Sequence, residues 1–120
     1  MLGIYTRLSR EDAENNSIQN QIREGKSFAK EHNFKYRIFD EGQGLSGGLS
    51  IEDRPKLLEL TNAIKEGVIT SVWFRDQNRL ERNSKTFIYF VDLIKANNCD
   101  VYYADKKIDY TDPDVAFQGT

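Results

Sequence analysis

Two groups suited to phosphate chemistry stand close together near the start of the chain, the guanidinium of Arg7 and the hydroxyl of Ser9. The apolar residues 2–5 predict a strand ending here, and open α/β folds hold their ligands at the carboxyl ends of strands. Serine needs an activating partner, and a neighbouring arginine instead of a histidine favours a phosphate target over an acyl group. Taken alone, Ser9 is more typical of a helix N-cap, because acidic residues follow it at 11–12.

Three further arginines follow where other elements are predicted to begin or end. Arg54 comes after a glycine-rich stretch, and Arg79 and Arg82 lie just beyond the strand-like run 69–74. Guanidinium groups bind phosphate oxygens as bidentate forks, so several of them around one serine suit a phosphoryl-transfer transition state. Each arginine by itself is typical of a solvated surface charge. Arg54 has a second structural interpretation, as a bystander in the first turn of a helix capped by Asp53.

These residues belong to four separated motifs, which together resemble the catalytic domain of the serine recombinases, the family of resolvases, invertases and serine integrases. The motifs are Tyr5-x-Arg7-x-Ser9, Ser17-Ile18-Gln19-Asn20-Gln21, Ser46-Gly47 before Asp53-Arg54, and Arg79-Leu80-x-Arg82-Asn83. The similarity spans about residues 2–110, in the family's order and at comparable spacings. One such motif is weak evidence, whereas four in order are specific.

The resemblance implies a reaction and a role for each of these groups. Ser9 is expected to attack a DNA phosphodiester, giving a 5′-phosphoserine link and a free 3′ hydroxyl that attacks back after strand exchange. Arg7, Arg54 and Arg82 are expected to bind the DNA phosphate and neutralise its non-bridging oxygens, while Arg79 assists activation or leaving-group protonation. Because the ester conserves the bond energy, no cofactor and no metal is expected; the arginines take the part that magnesium plays in many phosphoryl-transfer sites.

Four supporting residues are implied with alternatives left open. Tyr5 is expected beside Arg7 in the site, although a buried strand tyrosine fits equally well. Gln21 is expected to make a polar contact near the nucleophile, or else to be an exposed helical glutamine. The family often has an aspartate directly before its Arg-Leu-x-Arg motif, where this chain has Asn78. An amide cannot act as a general base, so Asp76 is the alternative for the orienting or acid–base role.

The charge of the chain argues against strong DNA binding by these residues alone. With 19 acidic and 17 basic residues among 120, the net charge is −2, whereas a domain that holds DNA by itself is strongly basic. We therefore expect residues 1–120 to form one catalytic domain, cut near the start of the family's long interface helix. Specific binding to double-stranded DNA is expected to need the absent C-terminal region. The resemblance also implies a homodimer or homotetramer during recombination.

Hydrophobic periodicity predicts an alternating α/β domain. Strand-like and helical patterns follow one another in the order of a parallel sheet with right-handed crossovers. The strand patterns are 2–5, 35–39, 69–74 and 100–104, and the helical patterns are 18–29, 57–64 and 87–94. The predicted fold is a three-layer αβα resolvase-like domain with a mainly parallel sheet of four to five strands. Neither a signal peptide nor an apolar run of membrane-spanning length is present, so a cytoplasmic location is expected.

Two other interpretations and one question of subclass remain. A catalytically inactive oligomerisation domain is the first alternative, with Asn78 as the sign of lost activity. The second is a nucleotide-binding domain, because residues 42–47 match the pattern G-x-G-x-x-G; the pattern lies after the second strand and is not placed at a helix start, which weakens that interpretation. The sequence leaves open whether the chain belongs with the small resolvases and invertases or with the large integrases and transposon recombinases.

Overall fold

The computed structural model describes residues 1–8, 18–43, 54–75, 85–108 and 110. Five strands and three helices alternate along these residues. In chain order they are β1 (Leu2–Leu8), α1 (Ile18–Glu31), β2 (Tyr36–Gln43), α2 (Pro55–Lys65), β3 (Ser71–Phe74), α3 (Lys85–Asn97), β4 (Asp100–Tyr103) and β5 (Lys106–Ile108). All seven predicted elements are present, and β1 extends three residues beyond its predicted end, so that Arg7 belongs to the strand.

The five strands form one sheet in the order β2-β1-β3-β4-β5. The first four are parallel to their neighbours, and β5 pairs antiparallel with β4. The strand order places β1 in the interior of the sheet, and all seven of its residues are buried. This arrangement confirms the predicted α/β fold with a mainly parallel sheet of four to five strands.

Strand β5 follows a turn that the sequence did not reveal. Ala104 adopts a positive φ of 55° in the β4–β5 turn, a conformation for which glycine or asparagine is the usual signal. The strand has three residues, too few for a period-two pattern to be recognised. For this reason, the strand patterns recognised in the sequence include β4 but not β5.

Side-chain alternation along the strands divides the core into two layers. On β3, Val72 and Phe74 pack with α2 and α3, whereas Trp73 points to the opposite face and packs with Phe28 of α1. Successive strand residues face opposite sides of a sheet, and both sides are covered by helices here. None of the described helices is long and apolar enough to cross a membrane.

Helix α2 is followed by a glycine turn. Gly67 has a φ of +79°, and its amide donates to the carbonyl of Ile64 at 3.1 Å. This left-handed position after the last turn is where glycine is favoured, because a side chain would be strained there. The chain then turns directly into β3.

Helix α1 approaches the sheet through Gly25. A Cβ atom at this position would lie 2.6 Å from Cγ2 of Ile4 and 3.1 Å from the Trp73 ring. Both neighbours are almost completely buried, so neither has space to move away. The absence of a side chain at Gly25 therefore sets the distance between α1 and the two central strands β1 and β3.

Replacing Gly25 with alanine should destabilise the domain despite alanine's better helix propensity. The propensity gain is about 1 kcal/mol, whereas overpacking a core costs up to about 3 kcal/mol, so a net loss of about 2 kcal/mol is expected. Denaturant unfolding of Gly25→Ala measures it, with Lys26→Ala on the exposed neighbour as the control. A Gly25→Ala protein as stable as the control would show that α1 can shift without cost.

Cys99 is a small residue of the core. It is 7% exposed and packs in the larger core layer. Burial, with a smaller contribution from the Asp100 charge, raises the pKa of its thiol to about 12. The thiol therefore stays protonated throughout the neutral range.

At pH 8, labelling of Cys99 by a thiol-specific disulfide reagent should be slow. With a pKa of about 12, roughly one thiol in ten thousand is ionised at this pH, and thiolate is the reactive form. The native chain should react about a thousandfold more slowly than the same chain in guanidinium chloride, where the ordinary pKa returns. Comparable rates in the two conditions would mean that the native thiol is accessible and unperturbed.

Candidate active site

The structure describes four of the predicted site residues, Tyr5, Arg7, Gln21 and Arg54. All four are buried near the carboxyl end of β1. The other five predicted residues, Ser9, Asp76, Asn78, Arg79 and Arg82, lie outside the described residues. In sequence, Ser9 directly follows the last residue of β1, and Asp76 comes two residues after the last residue of β3. Because β1 and β3 are parallel, both strands end at the same edge of the sheet.

The first contact of the site joins Arg54 to Tyr5, which is 49 residues away in sequence. Nη2 of Arg54 donates to the Tyr5 hydroxyl at 2.7 Å, and its Cζ lies 5.5 Å from the centre of the Tyr5 ring. Arg54 is completely buried. It occupies the N-cap position of α2, and it is neither a surface charge nor a bystander in the first helical turn.

Glu41 is a site residue that the sequence did not indicate. Its side chain is 1% exposed, and Oε1 accepts from the Tyr5 hydroxyl at 3.3 Å and lies 4.0 Å from Nε of Arg54. The same carboxylate accepts from the backbone amides of Lys56 at 2.8 Å and Leu57 at 3.3 Å. The available signal was an acidic residue at the end of β2, but an acidic residue in a polar stretch is usually solvated.

Tyr5 links the two charged groups. Its hydroxyl accepts from Arg54 and donates to Glu41. Burial raises the pKa of Tyr5 well above its ordinary value, with the Glu41 charge adding to the effect and the Arg54 charge opposing it. The hydroxyl therefore remains neutral at physiological pH and keeps the proton that it donates. Tyr5 is both the buried strand tyrosine and the site neighbour that the sequence left as alternatives.

Arg7 lies two residues beyond Tyr5 on the same strand, so both side chains face the same side of the sheet. It is 2% exposed, and its charge acts on the Tyr5 hydroxyl together with that of Arg54. Burying a charge costs free energy even when the charge is paired and hydrogen-bonded. Two guanidinium groups from distant parts of the chain are thus kept in the interior around one tyrosine, which is unusual for residues without a function.

The Gln21 side chain forms hydrogen bonds to the β1 backbone at Arg7, where the regular pairing of β1 with its neighbouring strands is interrupted. Its Nε2 donates to the Arg7 carbonyl at 3.0 Å, and its Oε1 accepts from the Arg7 amide at 3.2 Å. The register with β3 ends at Ile4, and the register with β2 shifts between Thr6 and Leu8. The amide replaces a missing strand partner, because buried backbone groups need hydrogen bonds. Gln21 is completely buried, which excludes the exposed-glutamine interpretation.

Comparison with known proteins identifies the family. The sequence profile named "Resolvase, N terminal domain" matches residues 2–118. The chain therefore belongs to this family, that of the serine recombinase catalytic domains. Among curated proteins, no sequence matches the chain.

Solved structures agree with the fold. The N-terminal catalytic domain of TP901-1 integrase superposes with a TM-score of 0.77 at 24% identity, covering 98% of this chain and 87% of that one. The C-terminal catalytic domain of ISC1926 TnpA, an IS607-like serine recombinase, superposes with a TM-score of 0.70 at 21% sequence identity. That match covers 87% of this chain and 70% of the other. A resolvase family site-specific recombinase from Streptococcus pneumoniae superposes with a TM-score of 0.67 at 21% sequence identity, covering 98% of this chain and 80% of the other.

Replacing Gln21 with leucine should weaken the domain strongly. The change keeps the volume but leaves the Arg7 amide and carbonyl buried without these partners, and each such group costs about 1–3 kcal/mol. For the two groups together, a loss of about 2–6 kcal/mol in the free energy of unfolding is expected. The control is Gln19→Leu, an exposed glutamine on the same helix. If both variants unfold at the same denaturant concentration, the amide does not support the strand.

Proposed function

We propose that this chain catalyses site-specific DNA recombination, with Ser9 as the nucleophile. The observation that carries the proposal is the burial of Arg7 and Arg54 around Tyr5, at the strand end from which the chain continues to Ser9. Permanent charges withdrawn from water act more strongly on a nearby phosphate than solvated ones do. Family membership supports the same chemistry.

The proposed step exchanges one phosphate ester for another. The Ser9 hydroxyl loses its proton and its oxygen bonds to phosphorus, while the bond from phosphorus to the 3′ oxygen breaks and that oxygen takes a proton. The 5′ phosphate is then esterified to serine, and a 3′ hydroxyl reverses the step after the strands have changed partners. Because the phosphate ester is transferred and not hydrolysed, rejoining the strands needs no energy from nucleotide hydrolysis.

The arginines have separate parts in this proposal. Arg7, Arg54 and Arg82 bind the non-bridging oxygens, and Arg79 assists activation of the serine or protonation of the leaving group. Arg7 and Arg54 are closed off from solvent, so a DNA phosphate reaches either guanidinium only after the side chains that cover it move aside. Which of Asp76 and Asn78 has the acid–base or orienting part stays a prediction.

The charge balance supports a division of labour. A chain with net charge −2 can place a few arginines in a pocket but cannot provide the broad basic face that nonspecific DNA binding needs. We therefore assign residues 1–120 to catalysis and specific binding of duplex DNA to a further region of the protein. Recombination joins ends held by different subunits, so the active form is a homodimer or homotetramer.

The decisive test is the covalent intermediate. In the complete protein with its DNA site, Ser9→Ala should reduce the protein–DNA adduct by at least about a thousandfold, as loss of a nucleophile does, while DNA binding stays nearly unchanged. Adducts are counted on denaturing gels with end-labelled DNA, and binding by gel shift.

The matched control is Ser27→Ala, because Ser27 is an exposed serine of α1 and should leave both readouts unchanged. An adduct that persists in Ser9→Ala would place the nucleophile at another residue. A wild-type protein that binds its site and never forms an adduct would favour the inactive oligomerisation domain.

A further inference from the structure

The backbone of β2 places Glu41 inside the domain. Phe39 and Glu41 point to the same side of the sheet, towards Tyr5 and α2, because they are two residues apart on a strand. Directly after Glu41, Gly42 adopts a φ of +84° and its amide donates to Oδ1 of Asp40 at 2.9 Å. The pairing with β1 shifts by one residue here. Such an irregularity bends a strand and changes the direction of the chain beyond it.

A buried carboxylate at this position needs strong partners. Removing its charge from water costs several kcal/mol unless hydrogen bonds and an opposite charge replace the solvent. The backbone amides of Lys56 and Leu57 at the start of α2 donate hydrogen bonds to the carboxylate. The carboxylate therefore also lies at the positive end of the helix dipole, which stabilises its negative charge. The Arg54 guanidinium provides the opposite charge. Glu41 thus makes two groups of contacts. The first, with the amides of Lys56 and Leu57, caps α2. The second, with Tyr5 and Arg54, lies at the guanidinium.

The contacts with Tyr5 and Glu41 fix the orientation of the Arg54 guanidinium. A guanidinium is planar, and its donors point in fixed directions. Nη2 is bound to the Tyr5 hydroxyl, which is bound in turn to Oε1 of Glu41, and Nε lies 4.0 Å from the same oxygen. The backbone of Arg54 is fixed as well, because the carboxylate binds the next two amide-bearing residues, Lys56 and Leu57.

We propose that Glu41 is a positioning residue of the active site, which acts through Tyr5 and the start of α2 to orient Arg54 towards the DNA phosphate. The inference rests on the function proposed above for Arg54. Glu41 itself does not touch the substrate. Its role is to fix the plane of a guanidinium that would otherwise rotate among several orientations, at the carboxyl edge from which the chain leads to Ser9.

The substitution that tests this role is Glu41→Gln. Glutamine keeps the volume and one acceptor oxygen but has no charge, and its amide group is a donor where the carboxylate has only acceptors. Adduct formation should fall roughly tenfold to a hundredfold, the range expected when a catalytic group is misplaced by about 1 Å. The matched control is Glu59→Gln, a half-exposed glutamate of α2 paired with Lys56, which should change adduct formation less than about twofold.

A double-mutant cycle separates positioning from helix capping. In an Arg54→Lys background the fork is absent, so Glu41→Gln should cause less than about a twofold further loss if its effect passes through Arg54. An equal loss in both backgrounds would show that Glu41 supports only the fold, and wild-type activity of Glu41→Gln would overturn the proposal as well.

Nuclear magnetic resonance of the Arg54 side chain gives a readout that does not depend on activity. In the unmodified chain, the Nη2–H protons of Arg54 should exchange slowly with water, because this group is buried and donates to the Tyr5 hydroxyl. Glu41→Gln and Tyr5→Phe should each speed this exchange at least about tenfold, while Glu59→Gln should not. Unchanged exchange in both variants would refute the positioning role even if the adduct were lost. A wild-type protein without any adduct would count against the proposed reaction, whereas this measurement would still decide whether Glu41 holds Arg54.

Discussion

The hydrogen bond from Arg54 to Tyr5, with Glu41 behind it, is the interaction on which the arrangement of this site depends. It joins three segments that are distant in sequence, the end of β1, the end of β2 and the start of α2. Each partner is buried, so each would be expensive without the others. The tyrosine is neutral and can both accept and donate, and therefore it connects a cation and an anion that lie 4.0 Å apart.

The same edge of the sheet shows how irregular pairing creates room for polar groups. Strand β1 continues past the end of its register with β3, and its register with β2 shifts beside Gly42. The backbone of Arg7 is consequently bound by a side chain, that of Gln21, and not by a neighbouring strand in a regular ladder. Polar side chains occupy the irregular end of the strand.

Packing at a distance from the site contributes to its geometry. Gly25 allows α1 to lie against Ile4 and Trp73, and Gln21, one helical turn earlier, reaches the Arg7 backbone from that same helix. A bulkier residue at Gly25 would move the helix that carries the amide. The stability of the core and the position of β1 are therefore coupled, although the contacts at Gly25 involve only apolar side chains.

The sequence by itself determined the family and the α/β order of elements, and it predicted a set of candidate site residues, because periodic apolar residues and four spaced motifs are local properties. It predicted the helix α2, and among the described residues it selected Tyr5, Arg7, Gln21 and Arg54 as candidates. Only the tertiary structure decided that Glu41 joins them, that Gln21 binds a strand backbone and that Arg54 is buried at an N-cap. Those facts depend on desolvation and on contacts between segments that are tens of residues apart, and no spacing within a motif records which distant group will provide the partner that a buried charge requires.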